Sequence, residues 1–364
     1  MPHSKVDLSL VGKLLADDVY NRNGLLLLSR GSLLNHSDVF LLQAHGIDEV
    51  SLDVITELKV LGPVGNESLD EPFHVQIKKL LAHTPEASQR YSEAMERTKS
   101  LFGKITEVYI PPLEQFTDAF FPLLDQVLKQ TGIFHPLYLV EGSEDYTYRH
   151  SINVGILCAL IAKLMKRTRD EIILLGQAGL LHDVGKMLIP QEILMKPGKL
   201  TEEEFNLMKL HTTYGFKLLQ QMEGTHDLLA QVALLHHERR DGSGYPEGRS
   251  GVFIPIEAQI VAVADTFDAI CSDRIYKTRR SPYEAAQILW KATCRGQLNV
   301  EIVTRFINYI ALLYVGRRAI LSNGDIVEVV LIHTDEPMRP LVRKNEQYID
   351  LRKYRGVSIE KMIG

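Results

Sequence analysis

Histidine and aspartate recur in this sequence where apolar helical patterns begin or end. His182-Asp183 closes the run Ile172, Ile173, Leu174, Leu175, Ala178, Leu180 and Leu181, and Val184-Gly185-Lys186 follows. His236-His237-Glu238 closes a second run, Leu228, Leu229, Val232, Leu234 and Leu235. His150 opens a third with Val154, Leu157 and Ile161 behind it, and His211 stands beside Leu207 and Leu210 on a fourth. Asp265 lies inside Ile260 to Phe267, a stretch apolar enough to be buried. A buried carboxylate is costly without a partner, and a metal ion is a standard one. Any one of these residues is more readily a satisfied core histidine or a capping aspartate. Five segments that each offer imidazole or carboxylate at an apolar boundary point to a shared site. His150, His182, Asp183, His211, His236, His237 and Asp265 supply N and O ligands. They are too many for one tetrahedral zinc and suit two octahedral first-row ions bridged by a carboxylate and a hydroxide. His226 falls in a loop, and His3, His36, His45, His74, His83, His135 and His333 are scattered and read as surface residues.

The elements that must position these ligands are helical. From about Tyr146 to Ile310 the pattern is almost wholly α, with loops at Pro197-Gly198 and Gly242 to Gly251. Upstream, Thr84-Pro85 reads as a cap followed by a first-turn proline. Tyr91, Met95, Phe102 and Ile105 continue at helical spacing until Pro111-Pro112, and a further helix runs to about Gln130. Asn23-Gly24, between Asp18-Val19-Tyr20 and Leu25 to Leu28, signals a hairpin. A short helix from Ser37 to Ala44, ended by Gly46, and a strand near Glu49 to Leu52 complete a small α+β module. After Gly316 the pattern becomes strand-like: Arg317 to Leu321, a turn at Asn323-Gly324, Ile326 to Ile332, and Leu341-Val342. The expected fold is mainly α. A regulatory module spans 1–62, linker and connecting helices 63–139, an all-α helical bundle 140–314, and an antiparallel β appendage 315–364.

Composition narrows the function. The chain has 364 residues, 45% hydrophobic and 24% charged, with Lys plus Arg 41 against Asp plus Glu 46. A net charge of −5 does not favour wrapping duplex nucleic acid or coating an anionic membrane. Cys158, Cys271 and Cys294 lack CxxC spacing, which argues against a thiolate zinc site and for a reducing compartment. No run is long enough to span a bilayer, and MPHSKVDLSL has no signal-peptide core, so a soluble cytoplasmic protein is expected. Histidine is the unusual component: six of the 13 fall between His150 and His237.

His182-Asp183-Val184-Gly185-Lys186 resembles the HD-x-G-K motif of the HD phosphohydrolase superfamily. The stretch from His236-His237-Glu238 through Asp241-Gly242-Ser243-Gly244-Tyr245-Pro246 resembles the HHExxDGxGYP signature of its HD-GYP branch. The resemblance covers roughly residues 140 to 310 and implies an HD-type helical core. It implies a phosphodiesterase that opens cyclic di-GMP to linear pGpG and can continue to GMP, on a metal centre commonly holding iron or manganese. Carried over by position, the implied ligands are the seven residues named above, with Asp183 bridging. Members with a third ion carry a glutamate one helical turn before the first histidine. Tyr146 stands there in this chain, with Glu144 and Asp145 close in sequence, so two ions are expected.

The implied mechanism is in-line attack on phosphorus by a metal-bridging hydroxide. Lys186, which in isolation reads as a solvated surface lysine, is then the group that neutralises phosphate or assists the leaving oxygen. Arg274 and Lys277 match family cations that contact substrate phosphate, and Arg279-Arg280 add charge beside them. Gly244, Tyr245 and Pro246 form a loop that can meet the ligand through backbone and ring. Two other functions fit the same motifs: a catalytically weak cyclic di-GMP receptor, and an HD enzyme acting on another cyclic dinucleotide or nucleotide, such as cyclic GMP-AMP. The N-terminal module or the connecting helices leave room for a homodimer.

Overall fold

The computed structural model describes residues 3–7, 10, 15–20, 26–28, 34, 38–39, 42–43, 45–52, 85–129, 146–272 and 281–363. The chain forms two compact units, Met1–Leu69 and Asp70–Gly364. In the first, β1 (His3–Lys5) pairs antiparallel with β4 (Glu49–Ser51), and β2 (Val19–Tyr20) with β3 (Leu26–Leu28). The second pair flanks the expected Asn23-Gly24 turn, which itself lies outside the described residues. Leu10, Leu15, Leu34, Val39, Leu42 and Val50 form this unit's own small core. Gly46 follows helical residues 38–39 and 42–43 with φ 67°, the left-handed conformation expected of a residue that ends a helix. The proposed linker at Leu61 to Asn66 lies outside the described residues.

The larger unit begins with α1 (Pro85–Phe102), with proline at its first position as expected. Tyr91, Ala94, Met95, Thr98, Leu101 and Phe102 form its buried face. The helix stops at Phe102, short of the expected Pro111. A tight turn joins Thr106 to Tyr109 before α2 (Leu113–Lys129) begins. Ile105 is buried from within that connection, so its apolar character mimicked one more helical turn.

Two helices form the centre of the unit. In α3 (Tyr146–Leu164) every residue from Arg149 to Ala162 is buried, and α8 (Ile256–Cys271) is nearly as enclosed. A helix apolar on all sides is stable only with neighbours all round. Around these pack α4 (Arg169–Leu181), α7 (Asp227–Leu235), α9 (Pro282–Cys294) and α10 (Val300–Leu312), while α6 (His211–Gln221) packs on α7 and α5 (Glu202–Lys209) on α6. Local chemistry sets where they start. Capping boxes open α4 at Thr168 and Glu171, α5 at Thr201 and Glu204, and α9 at Ser281 and Glu284. The His226 ring accepts from Leu228 N at 3.1 Å and caps α7, which explains one histidine set apart from the cluster. No described helix is long and apolar enough to cross a membrane.

The chain ends in an antiparallel sheet of order β8-β7-β6-β5-β9, formed by β5 (Arg318–Leu321), β6 (Ile326–Leu331), β7 (Leu341–Lys344), β8 (Gln347–Asp350) and β9 (Ile359–Ile363). Ile320 pairs with Ile326 across the expected Asn323-Gly324 turn, where Gly324 has φ 84°. Sequence periodicity missed β8, which is largely polar, and β9, which crosses back to pair with β5 at the opposite edge. Ala319, Leu321, Val327, Val329, Val342 and Ile359 join the same core as the helices.

Candidate metal centre

Each of the seven residues enters the site where a helix starts, stops or turns its enclosed face inward. His150 is in the first turns of α3, and His182 caps the end of α4. Asp183 leads into the 3-10 turn Val184–Leu188. His211 opens α6, His236 and His237 follow α7, and Asp265 sits on α8. Gly185 sets the closest approach: a Cβ there would lie 2.0 Å from His211 O and 2.4 Å from Gly215 N. Only a residue without a side chain lets this turn lie directly on α6, and that contact brings Asp183 to His211.

Asp183 is central. Its Oδ2 is 3.1 Å from His182 Nε2 and 3.6 Å from His150 Nε2, while its Oδ1 is 3.3 Å from His211 Nε2 and 3.8 Å from His236 Nε2. His150 Nε2 lies 3.1 Å from Asp265 Oδ1. The residues fall into two sets whose ligand atoms lie within 4.8 Å of one another: His150, His182 and Asp265, and Asp183, His211, His236 and His237. One carboxylate oxygen faces an imidazole pair of each set. His182 Nε2 and Asp183 Oδ1 are buried and accept or donate no hydrogen bond. Buried lone pairs that converge in this way are expensive unless a cation sits among them. The clusters are compatible with a divalent metal centre.

The opposite ring nitrogens are committed. His182 Nδ1 lies 2.7 Å from Gly179 O, His211 Nδ1 2.7 Å from Met208 O, and His236 Nδ1 2.9 Å from Ala233 O. A carbonyl oxygen only accepts, so each Nδ1 carries the proton and each Nε2 lone pair faces the site. His150 differs, because its Nδ1 lies 2.7 Å from the Asp268 carboxylate. Asn153 Nδ2 donates to the other Asp268 oxygen at 2.9 Å, and Ser272 Oγ donates to Oδ2 at 3.0 Å. Asp268 and Asn153 escaped the sequence reading. Asp268 had a signal, since it is one helical turn beyond Asp265 and shares its face.

Protonation follows these surroundings. Burial pushes His211 down to about 4 and His237 down to about 3. Burial, with His237 and His182 beside it, holds His236 well below the usual imidazole range. Burial opposes charge on His150 too, but hydrogen bonds to Asp265 and Asp268 outweigh it and raise that ring to about 9. Burial opposes ionisation of Asp183, yet His182, Lys186 and His211 keep it well below the usual carboxylate range. Three neutral imidazoles and an ionised central carboxylate are the forms that ligate cations.

Lys186 donates to Asp183 Oδ2. Tyr146, at the position where an additional carboxylate is found in three-metal members, stacks on His150 with centroids 5.5 Å apart and planes 10° apart. Glu144, Asp145, Arg274, Lys277, Arg279 and Arg280 lie outside the described residues. Tyr245 stacks on His237 at 4.6 Å and 27°. Its loop is held down by Glu238, whose Oε1 accepts from Glu247 N at 2.7 Å. Gly244 is required by the fold-back, because a Cβ would lie 2.4 Å from Arg239 N and 2.5 Å from His237 O. Pro246 follows Tyr245 through a cis peptide. Phe205 stands edge-on to Tyr245 at 6.3 Å, with Lys209 Nζ 5.8 Å from the tyrosine ring centre. His333, read as an ordinary surface residue, is partly buried and lies 3.3 Å from Asp350.

A helical core that gathers imidazoles and carboxylates in this order is an HD-domain arrangement, and the HD domain family model matches residues 138–297. The cyclic di-GMP phosphodiesterase PA4108 of Pseudomonas aeruginosa is 31% identical over 343 residues, covering 92% of this chain and 81% of that protein. A cyclic di-GMP phosphodiesterase of Thermotoga maritima is 40% identical over 196 residues, 54% of this chain and 50% of its own length. The solved structure of Bd1817, an HDG"Y"P protein from Bdellovibrio bacteriovorus, shares the fold with TM-score 0.50 at 16% identity, over 84% of this chain and 98% of that one. The chain belongs to the HD-GYP family of the HD phosphohydrolase superfamily.

Proposed function

We propose that this chain is a metal-dependent phosphodiesterase that hydrolyses cyclic di-GMP to linear pGpG, with further hydrolysis to GMP within its chemistry. The observation that carries this reading is Asp183, whose two carboxylate oxygens each face a different imidazole pair. The near-full-length similarity to a cyclic di-GMP phosphodiesterase supports the substrate.

His150, His182 and Asp265 would hold one ion and His211, His236 and His237 the other, with Asp183 bridging. The N and O donor set suits iron or manganese. When bound, such ions supply Lewis-acid activation of water and phosphoryl oxygen. In the net reaction a water oxygen joins phosphorus, the P–O3′ bond breaks, and the 3′ oxygen leaves with a proton. Lys186, beside Asp183, offsets negative charge on the phosphate as that bond breaks. Tyr245 offers its ring edge or hydroxyl to a guanine or a phosphate, and Gly244 and Pro246 set its angle. Arg274 and Lys277 complete phosphate binding. Residues 1–62 act as a regulatory module, joined through 63–139 to the catalytic residues 140–314, with 315–364 as an appendage. A homodimer through the N-terminal module or the connecting helices fits this arrangement.

The test is protein loaded anaerobically with iron or manganese, given cyclic di-GMP and cyclic GMP-AMP in competition, with products resolved by chromatography. Linear pGpG as the leading product is expected. Tight binding without turnover under every metal loading would make the chain a receptor, and preferential loss of cyclic GMP-AMP would change the substrate. Asp183→Ala should lose bound metal and turnover while keeping its helical circular dichroism. Retained activity in that variant removes the site assignment.

A further inference from the structure

Three of the proposed ligand rings are oriented by carbonyls of their own helical turn, at Gly179, Met208 and Ala233. His150 is oriented from a distance. Its Nδ1 meets Asp268 on α8, Asp268 is met by Asn153 on α3, and Asn153 Oδ1 accepts from Tyr91 OH on α1 at 2.8 Å. Tyr91 is wholly buried, and it lies outside residues 138–297, the HD-domain match.

The direction of this relay is forced. Asn153 turns its amide nitrogen toward Asp268 Oδ1, 2.9 Å away. That leaves Asn153 Oδ1 facing Tyr91, whose hydroxyl must donate. Burial and the nearby Asp268 charge push the phenol upward, so the donor proton is retained. The helix that carries Tyr91 is itself anchored, with Phe102 edge-on to Phe116 at 5.7 Å and to Tyr148 at 5.8 Å.

Resting on the metal-centre reading above, we propose that Tyr91 is a positioning residue for His150, acting through Asn153 and Asp268 to hold the His150 Nε2 lone pair toward one of the two metal positions. Without the hydroxyl, Asn153 Oδ1 loses the Tyr91 donor. The amide is then held less firmly against Asp268, whose contact with Asn153 helps to aim it at His150. The rings of His182, His211 and His236 are unaffected, because their supports are local.

Tyr91→Phe removes the hydroxyl and keeps the ring in the core. Chelator-competition titration of manganese should show one of the two ions bound about tenfold or more weakly, as outer-shell changes commonly produce, with the other unchanged. Urea unfolding of the metal-free variant should stay close to that of the parent. Asn153→Ala breaks the same relay and should give the same one-ion loss, which keeps the test open should Tyr91→Phe fold poorly. Parental affinity at both positions overturns the proposal. So does equal weakening of both ions alongside reduced metal-free stability, which would make Tyr91 an ordinary core residue. A parent protein that binds no manganese or iron overturns the metal-centre reading as well, and that result is distinct from either.

Discussion

Asp183 and its imidazole neighbours make the metal-free protein sensitive to pH in two directions. An unfolded chain protonates its histidines near 6.5, whereas folded His211 and His237 resist until about 4 and about 3. Below pH 6.5 the unfolded state therefore takes up more protons, and folding stability falls. His150 works oppositely: its folded value of about 9 contributes stability that is complete below 6.5 and lost as pH rises toward 9. In chelator, urea denaturation should find maximal stability near neutrality, with losses on both sides. A flat profile from pH 4 to 9 would contradict the protonation states assigned here. An ion held by His150 would displace its proton, so loading should strengthen as pH rises through the same upper range. At this scale the seven candidate ligands were legible in sequence because imidazole and carboxylate at apolar boundaries are conspicuous. Their partners were not: Asn153 and Ser272 are ordinary polar residues until Asp268 faces them.

Helices were the most legible elements. Thr168-Glu171, Thr201-Glu204 and Ser281-Glu284 fix three starts by local hydrogen bonding. Where burial came from a turn rather than a helix, as at Ile105, apolar spacing misled. Strand β9 was invisible because its pairing with β5 depends on residues about forty positions away. The turn between α4 and α6 carries the sharpest constraint at this scale. Gly185→Ala forces a methyl onto His211 O, a backbone atom that cannot swing aside. The substitution should cost about 3 kcal/mol, typical of overpacking, and weaken metal binding by moving Asp183 from His211. Urea unfolding and metal titration check both. Parental values in both would mean that the turn withdraws without penalty.

For the whole molecule, the candidate ligands come from five segments spread between His150 and Asp265, so bound ions tie together helices distant in sequence. Ligand that binds only the folded state stabilises by mass action, about 2.7 kcal/mol at a free concentration a hundredfold above Kd. Removing metal with a chelator should therefore lower the melting temperature by several degrees, and iron or manganese should restore it. An unchanged melting temperature would show that the helical unit closes around the site without any contribution from metal.

Sequence by itself determined the family and the helical character of the core, and it singled out seven candidate ligands, because the motifs join specific chemistry to local patterns of three to eleven residues. Tertiary structure alone decided that each Asp183 oxygen faces a separate imidazole pair, that Tyr146 stacks on His150, and that Tyr91 reaches the same histidine through two intermediaries. Those relations depend on helix packing, where a buried polar atom must find its partner across space, and no local pattern records which partner that will be.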